Sequence, residues 1–244
     1  MNWLDSWTMT HINVFARRSW AFDQMVAFIS VNHLFKGGLL MLFIWWAWFR
    51  TEGKATKERE HMIATLLSSA VALLVGRLLV ILLPFRVRPL HEASLDFVKP
   101  YGVSEEALAK LSSFPSDHAV LFFALATGLY FVSRRLGVFV FAYTMVMIVL
   151  PRLYLGLHYP TDILAGAVVG AGISWLGNIY LMQTRVVRSI EELSWSRAMY
   201  FYPALFLVTY QIADMFETSR ALVRSVLQFG KVMVALGLGA TVGD

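Results

Sequence analysis

Cysteine does not occur anywhere in the 244 residues, which excludes disulfide frameworks, thiolate metal sites and cysteine nucleophiles. Charge is scarce too: Asp, Glu, Lys and Arg make up 15% of the chain, against about 25% in an average soluble domain. What charge there is gathers in short links between long apolar runs, so a bilayer is the solvent these runs suit. The stretch before Arg17 is too polar for the hydrophobic part of a secretory signal, and membrane insertion is expected to start with the first true span. Internal repeats and low-complexity tracts are absent as well, so the sequence reads as one domain.

What is present agrees with a membrane. Hydrophobic residues form 58% of the chain, and its mean hydropathy is +0.61. Eight Trp, nine Tyr and eighteen Phe suit the interfacial belts where amphipathic rings sit at headgroup level. The formal charge of +5 would suggest nucleic acid for a soluble protein. Here no polar basic domain stands outside the apolar runs, so nucleic acid is not an expected partner; basic links meet anionic headgroups instead.

The expected fold is all-α, an integral membrane bundle of about six transmembrane helices flanked by amphipathic N- and C-terminal segments. Residues 1–32 read as an interfacial amphipathic segment and 33–215 as the six-span domain. Residues 216–244 read as a C-terminal amphipathic segment, where Arg220, Arg224 and Lys231 share a face and make a seventh span costly. Spans are expected near 33–49, 62–84, 118–133, 136–150, 162–182 and 199–215, the last bent at Pro203. The stretch SEEALAKL is expected to be a short helix capped by Ser104. Gly166, Gly170 and Gly172 are expected to allow close helix packing, and His11, His33, His61 and His91 to be interfacial.

Loop charge sets an expected orientation. The links at 50–60, 134–135 and 183–198 hold Arg50, Lys54, Lys57, Arg59, Arg134, Arg135, Arg185, Arg188 and Arg197, and alternation puts all three on one side, the cytoplasm. The links at 85–117 and 151–161 then share the outer face. Their arginines run against the charge rule unless a site holds them.

Three strings in those outer links carry chemistry: Arg-Val-Arg-Pro at 86–89, Phe-Pro-Ser-Asp-His at 114–118, and the run from Pro151 to Asp162 that contains Arg152 and His158. Together they resemble the signature segments of the type 2 phosphatidic acid phosphatase and vanadium haloperoxidase superfamily: Lys-x6-Arg-Pro, Pro-Ser-Gly-His and Ser-Arg-x5-His-x3-Asp. The resemblance covers residues of about 60–182, and the segments come in the family's order. It implies that His158 is a nucleophile forming a phosphohistidine, oriented by Asp162, and that His118 is the general acid. Arg88, Arg152, Ser116 and the amide of Asp117 would hold the phosphate. No metal and no cofactor are expected.

The residues suit that chemistry. His158 and Asp162, four apart, can meet on one face of a helix that begins near Pro160. A carboxylate on one ring nitrogen leaves the other free to attack phosphorus. Guanidinium forks match phosphoryl oxygens, and a helix N-terminus such as that expected at Asp117 attracts anions.

Three positions depart from the pattern. The family lysine falls on Ile81, and Arg77 or Arg86 is expected to replace it. Pro151 replaces a serine. Asp117 replaces glycine, and its carboxylate must turn outward or pair with a cation. Pro-Ser-Asp-His further resembles the bacterial undecaprenyl-diphosphatase branch. The resemblance then implies a lipid phosphatase of the bacterial cytoplasmic membrane with its site on the outer face. Phosphatidate, phosphatidylglycerophosphate or a lipid A phosphate are alternative substrates. A non-enzymatic lipid-binding or translocating protein on the same scaffold is the alternative of another class.

Overall fold

The computed structural model describes residues 2–50, 55–104 and 108–235. Among them there is no strand, and the expected all-α class holds. The helices are α1 Trp3–Asn13, α2 Trp20–Val31, α3 Leu39–Arg50, α4 Ala55–Leu82, α5 Asp117–Val132 and α6 Arg134–Tyr143. They continue as α7 Leu150–Tyr154, α8 Pro160–Tyr180, α9 Arg185–Ser196, α10 Ala198–Ala213 and α11 Glu217–Ala235. Two π-helical stretches, Leu34–Gly38 before α3 and Thr144–Val149 between α6 and α7, join neighbouring helices.

Among the described residues, three continuous helices are long and apolar enough to cross a membrane: Lys57–Leu82, Arg134–Tyr154 and Pro160–Gln183. A fourth crossing arises if α2 and the Leu34–Arg50 helix, bent by 66°, act as one broken span. Helices α5 and α10 are apolar but have 16 residues each, roughly 24 Å at 1.5 Å per residue. The expected six spans therefore require the bent pair and both short helices to cross as well. Helix α11 is not among the candidate spans, in keeping with an amphipathic terminal segment.

Helices α4, α5 and α8 form the centre. Helix α8 can lie directly on α5 because a Cβ at Gly170 would stand 2.0 Å from the Val120 carbonyl oxygen, and one at Gly166 would stand 2.6 Å from that of Ser116. Gly172, expected to serve the same purpose, faces open space. The main apolar core lies toward the other end of this trio. There Trp48 stacks on Phe201 at 5.6 Å, and Arg59 lies over the Trp48 and Trp195 rings. His61 also belongs to that end: it contacts the Asn178 side-chain oxygen at 3.0 Å and stacks on Phe131, so it is not merely interfacial.

Other expectations change in detail. The N-terminal segment is two helices, broken where Arg17 takes φ 60°, and both are anchored by fully buried carboxylates, Asp5 and Asp23. The fourth span does not stop at Leu150; it runs through the π-helical stretch to Tyr154, which puts Arg152 inside the helix end. The polar link before the last span is itself the amphipathic helix α9. In SEEALAKL, 105–107 lie outside the described residues and 108–110 form a turn instead of a helix.

Candidate active site

The three signature strings meet at one end of the bundle, laced by backbone hydrogen bonds. Leu90 N–H donates to the Gly156 carbonyl at 2.9 Å, Ser113 N–H to that of Arg86 at 3.0 Å, and Ser116 N–H to that of Asp162 at 3.1 Å. Ser116 caps α5, accepting from the Ala119 N–H at 3.4 Å, while Pro160 opens α8. Two helix N-termini thus converge on the string that carries His158.

His158 is buried, with 4% of its surface exposed. Its Nδ1 lies 2.9 Å from the Ser113 carbonyl oxygen. A carbonyl only accepts, so the proton sits on Nδ1 and the lone pair on Nε2. Burial lowers the His158 pKa and the nearby Arg88 charge adds to this, against the opposing pull of Asp162. The neutral ring is therefore the favoured form at neutral pH.

Asp162 does not make the expected hydrogen bond to that ring; its Oδ2 stands 3.7 Å from Nδ1. The same oxygen accepts from the Tyr159 N–H at 2.8 Å, and Oδ1 pairs with Arg86. Arg86 also pairs with Asp5, which accepts from Thr161 N–H at 3.1 Å and from its hydroxyl at 2.7 Å. The carboxylate fixes the start of α8, and through it the backbone on which His158 stands. Nothing in the polar, Trp-bearing N-terminal stretch marks Asp5 apart from its neighbours, and periodicity alone does not reveal its partners.

Arg88 is also buried and keeps fewer free donors than a phosphate fork would use. It donates to the carbonyls of Leu111 at 3.2 Å and Ser112 at 3.1 Å, and also to that of Leu157. Its Nη1 approaches Nε2 of His158 at 3.4 Å. It therefore clamps two loops together while its charge faces Nε2 of His158.

Asp117 Oδ1 accepts from the His118 backbone N–H and lies 2.8 Å from His118 Nδ1. The carboxylate that was expected to need a cation or an outward turn is spent on the imidazole beside it. Nε2 of His118 is left to carry a proton elsewhere. Arg152 is 3% exposed, and among the described residues the one hydrogen bond of its guanidinium is a long one, 3.5 Å, to the Ile148 carbonyl.

A cavity of about 710 Å³ opens here, lined by Asp117, His118, Arg152, Leu157, Lys36 and others. Neither expected substitute for the family lysine lines it. Arg77 donates to the Met215 carbonyl and faces a separate cavity of about 620 Å³ beside α11, and Arg86 is held in the Asp5–Asp162 network. His33, Asp214 and Glu217 bring ligand-type atoms within 4.8 Å of one another near the same opening. His33 and Glu217 are exposed, and a His–carboxylate contact of 3.3 Å between His33 and Asp214 accounts for the pair without an ion.

Residues 66–186 match the PAP2 superfamily. The chain is 26% identical over 156 residues to undecaprenyl-diphosphatase BcrC of Bacillus subtilis, which covers 63% of this chain and 72% of that protein. It is 28% identical over 165 residues to the putative undecaprenyl-diphosphatase YbjG of Escherichia coli, covering 67% and 76%. A shorter segment of 65 residues is 45% identical to lipid A 4'-phosphatase of Bacteroides thetaiotaomicron, covering 26% of this chain and 28% of that protein. No solved structure matches the chain.

Proposed function

Because this chain carries a PAP2 superfamily domain, we propose that it is a membrane lipid phosphatase working through a phosphohistidine, with undecaprenyl diphosphate as substrate and undecaprenyl phosphate as product. The observation that carries the chemistry is the lone pair of His158 Nε2, set beside Arg88 by the Ser113 contact and adjoining a cavity walled by Arg152 and the Asp117–His118 pair. The lipid part of the reading rests on the apolar helices and on what BcrC and YbjG are named for.

The terminal phosphoryl group enters between Arg152 and His158. Nε2 attacks phosphorus as the bond to the bridging oxygen breaks, and His118 gives that oxygen its proton. Arg152, Arg88 and the N–H groups at the start of α5 stabilise charge on the equatorial oxygens. His118 then takes a proton from water as the water attacks the phosphohistidine, which releases inorganic phosphate and restores His158. No step calls on a metal, so activity is unchanged by EDTA. The site lies on the outer face of a bacterial cytoplasmic membrane.

A second reading, a lipid A phosphate monoester as substrate, is favoured by the 45% identity over 65 residues to lipid A 4'-phosphatase. Phosphate release by the detergent-purified chain from undecaprenyl diphosphate, phosphatidate and a lipid A phosphate separates these. Fastest turnover of the diphosphate, lost in His158→Ala, is the expected result. Hydrolysis of none of the three removes the proposal.

A further inference from the structure

Lys36 sits in the π-helical stretch at the bend before α3, in the string His-Leu-Phe-Lys-Gly-Gly, and is 7% exposed. Its neighbour Gly37 presses on α10: a Cβ there would stand 2.4 Å from the Ala213 carbonyl oxygen, so this contact fixes the bend against the last apolar helix. A π-bulge re-aims side chains relative to a regular helix, and such bulges gather at functional sites. Here the side chain lines the cavity that also holds Asp117, His118 and Arg152. Its charge is close enough to interact with both Arg152 and His118.

A buried ammonium is costly unless it is paired. Among the described residues Lys36 has no hydrogen bond from its ammonium and no ion pair within 4 Å. Of the carboxylates that act on its charge, Glu217 acts most strongly but is an exposed residue lining the same cavity, with no ion pair to Lys36 within 4 Å among the described residues. Asp214 contacts His33 at 3.3 Å and accepts from Thr218 N–H at 2.7 Å, and Asp117 is bonded to His118. Among the described residues Arg152 also has no carboxylate within 4 Å, so one wall of the cavity carries two buried cations. Meanwhile Ile81, at the place of the motif's lysine, is 77% exposed on the outer surface of α4 and contributes nothing to the site.

We propose that Lys36 binds the substrate's phosphate, and that the bent first span, not α4, supplies the third cation of this site. The inference rests on the phosphatase reading. It places a phosphate-binding lysine on an element that precedes the matched family segment, 66–186.

The test compares wild type, Lys36→Met and Lys36→Arg as full-length chains in detergent. Two measurements are made: hydrolysis of undecaprenyl diphosphate, and the rise in melting temperature on adding vanadate, a phosphate mimic. The expected result is that Lys36→Met loses about 10- to 100-fold in kcat/KM and most of the vanadate-induced rise, the scale of one charged hydrogen bond. Lys36→Arg should recover much of both. Equal kinetics and an equal vanadate shift in Lys36→Met would overturn the assignment. So would a variant that melts lower in the absence of vanadate yet binds it normally, because that is a structural role. A wild type that binds vanadate through Lys36 but hydrolyses none of the lipids would sink the substrate reading and leave the phosphate site standing.

Discussion

Oδ1 of Asp117 lies 2.8 Å from Nδ1 of His118, the residue that follows it in the chain. Adjacent residues in a helix interior do not face each other, but these two occupy the first turn of α5, where the Asp117 carboxylate folds back to take the His118 N–H as well. The glycine that the family motif has here has no side chain to offer. The substitution thus adds a positioning carboxylate to the proposed general acid: it holds Nδ1 protonated and points Nε2 toward the cavity.

That relationship gives the first prediction. His118→Ala lowers kcat by roughly 10²- to 10⁴-fold, and Asp117→Asn by on the order of tenfold, since the ring remains but its orientation loosens. Asp117→Gly behaves as Asp117→Asn does. Steady-state kinetics decide it, and an Asp117→Asn enzyme with wild-type kcat would leave the carboxylate without a catalytic consequence.

A second prediction concerns the nucleophile and pH. His158→Ala abolishes turnover and the acid-labile phosphoenzyme. Because burial holds the His158 pKa below its ordinary value, the neutral ring persists as pH falls past about 6.5. Activity should therefore decline only below that point, as the ring protonates in the folded protein. A kcat/KM profile whose acid limb sits above pH 6.5 would contradict the buried, carbonyl-bonded ring.

How much of this was legible in the sequence depends on the range of the contact. The helices, their order and the residues His118, Arg152, His158 and Asp162 follow from apolar run length and from one local motif each. The partners do not. Nothing in the spacing says that Ser113, whose own side chain bears no motif, would lend its carbonyl to His158 across 45 positions. The expected His158–Asp162 pairing is present as a 3.7 Å contact and not as a hydrogen bond, since Nδ1 lies on the Ser113 carbonyl and the carboxylate accepts from Tyr159 N–H and pairs with Arg86. Arg77 is expected to stand in for the family lysine, yet its reach is set by the turn between α10 and α11, where it donates to the Met215 carbonyl. Lys36 was invisible for the same reason: a π-helical bend breaks the 3.6-residue phase from which its direction would be read.

The third prediction tests the N-terminal helix as part of the machinery. Asp5 is fully buried and joins Arg86 and Thr161 to the start of α8. Asp5→Ala leaves Arg86 with Asp162 as its one carboxylate, beside the Thr161 hydroxyl at 2.8 Å. The cost should be about 3 kcal/mol, the low end for breaking a buried pair, because the Arg86 side chain is 27% exposed and keeps these two partners. Melting in detergent should drop by several degrees and kcat should fall with it, whereas Ser6→Ala on the same helix changes neither. Unchanged melting in Asp5→Ala would mean that α1 rests on the bundle without bracing it.

The last prediction is sidedness, which decides where the lipid is met. Lys57 at the start of α4, Arg134 and Arg135 at the start of α6, and Arg185 and Arg188 on α9 lie at one set of helix ends. The signature strings lie at the other ends of α4, α5 and α8. Cytoplasmic links carry the excess of Lys and Arg, so the prediction puts the first set inside and the site outside. Among the outer cations, Arg86 is paired with carboxylates and Arg88 and Arg152 are buried in the site, so these three do not count as loop charges; Lys110 is an exposed one, outnumbered by the five residues named at the inner ends. The chain has no cysteine, which makes single introduced thiols readable without background. Lys57 and Lys110 are both exposed. In spheroplasts, Lys110→Cys should react with a membrane-impermeant maleimide, and Lys57→Cys should react only after lysis. The opposite pattern would move the site to the cytoplasm and end the case for a lipid carrier dephosphorylated at the outer face. The His158 chemistry would stand regardless, because it depends on contacts within the bundle and not on which side of the membrane they face.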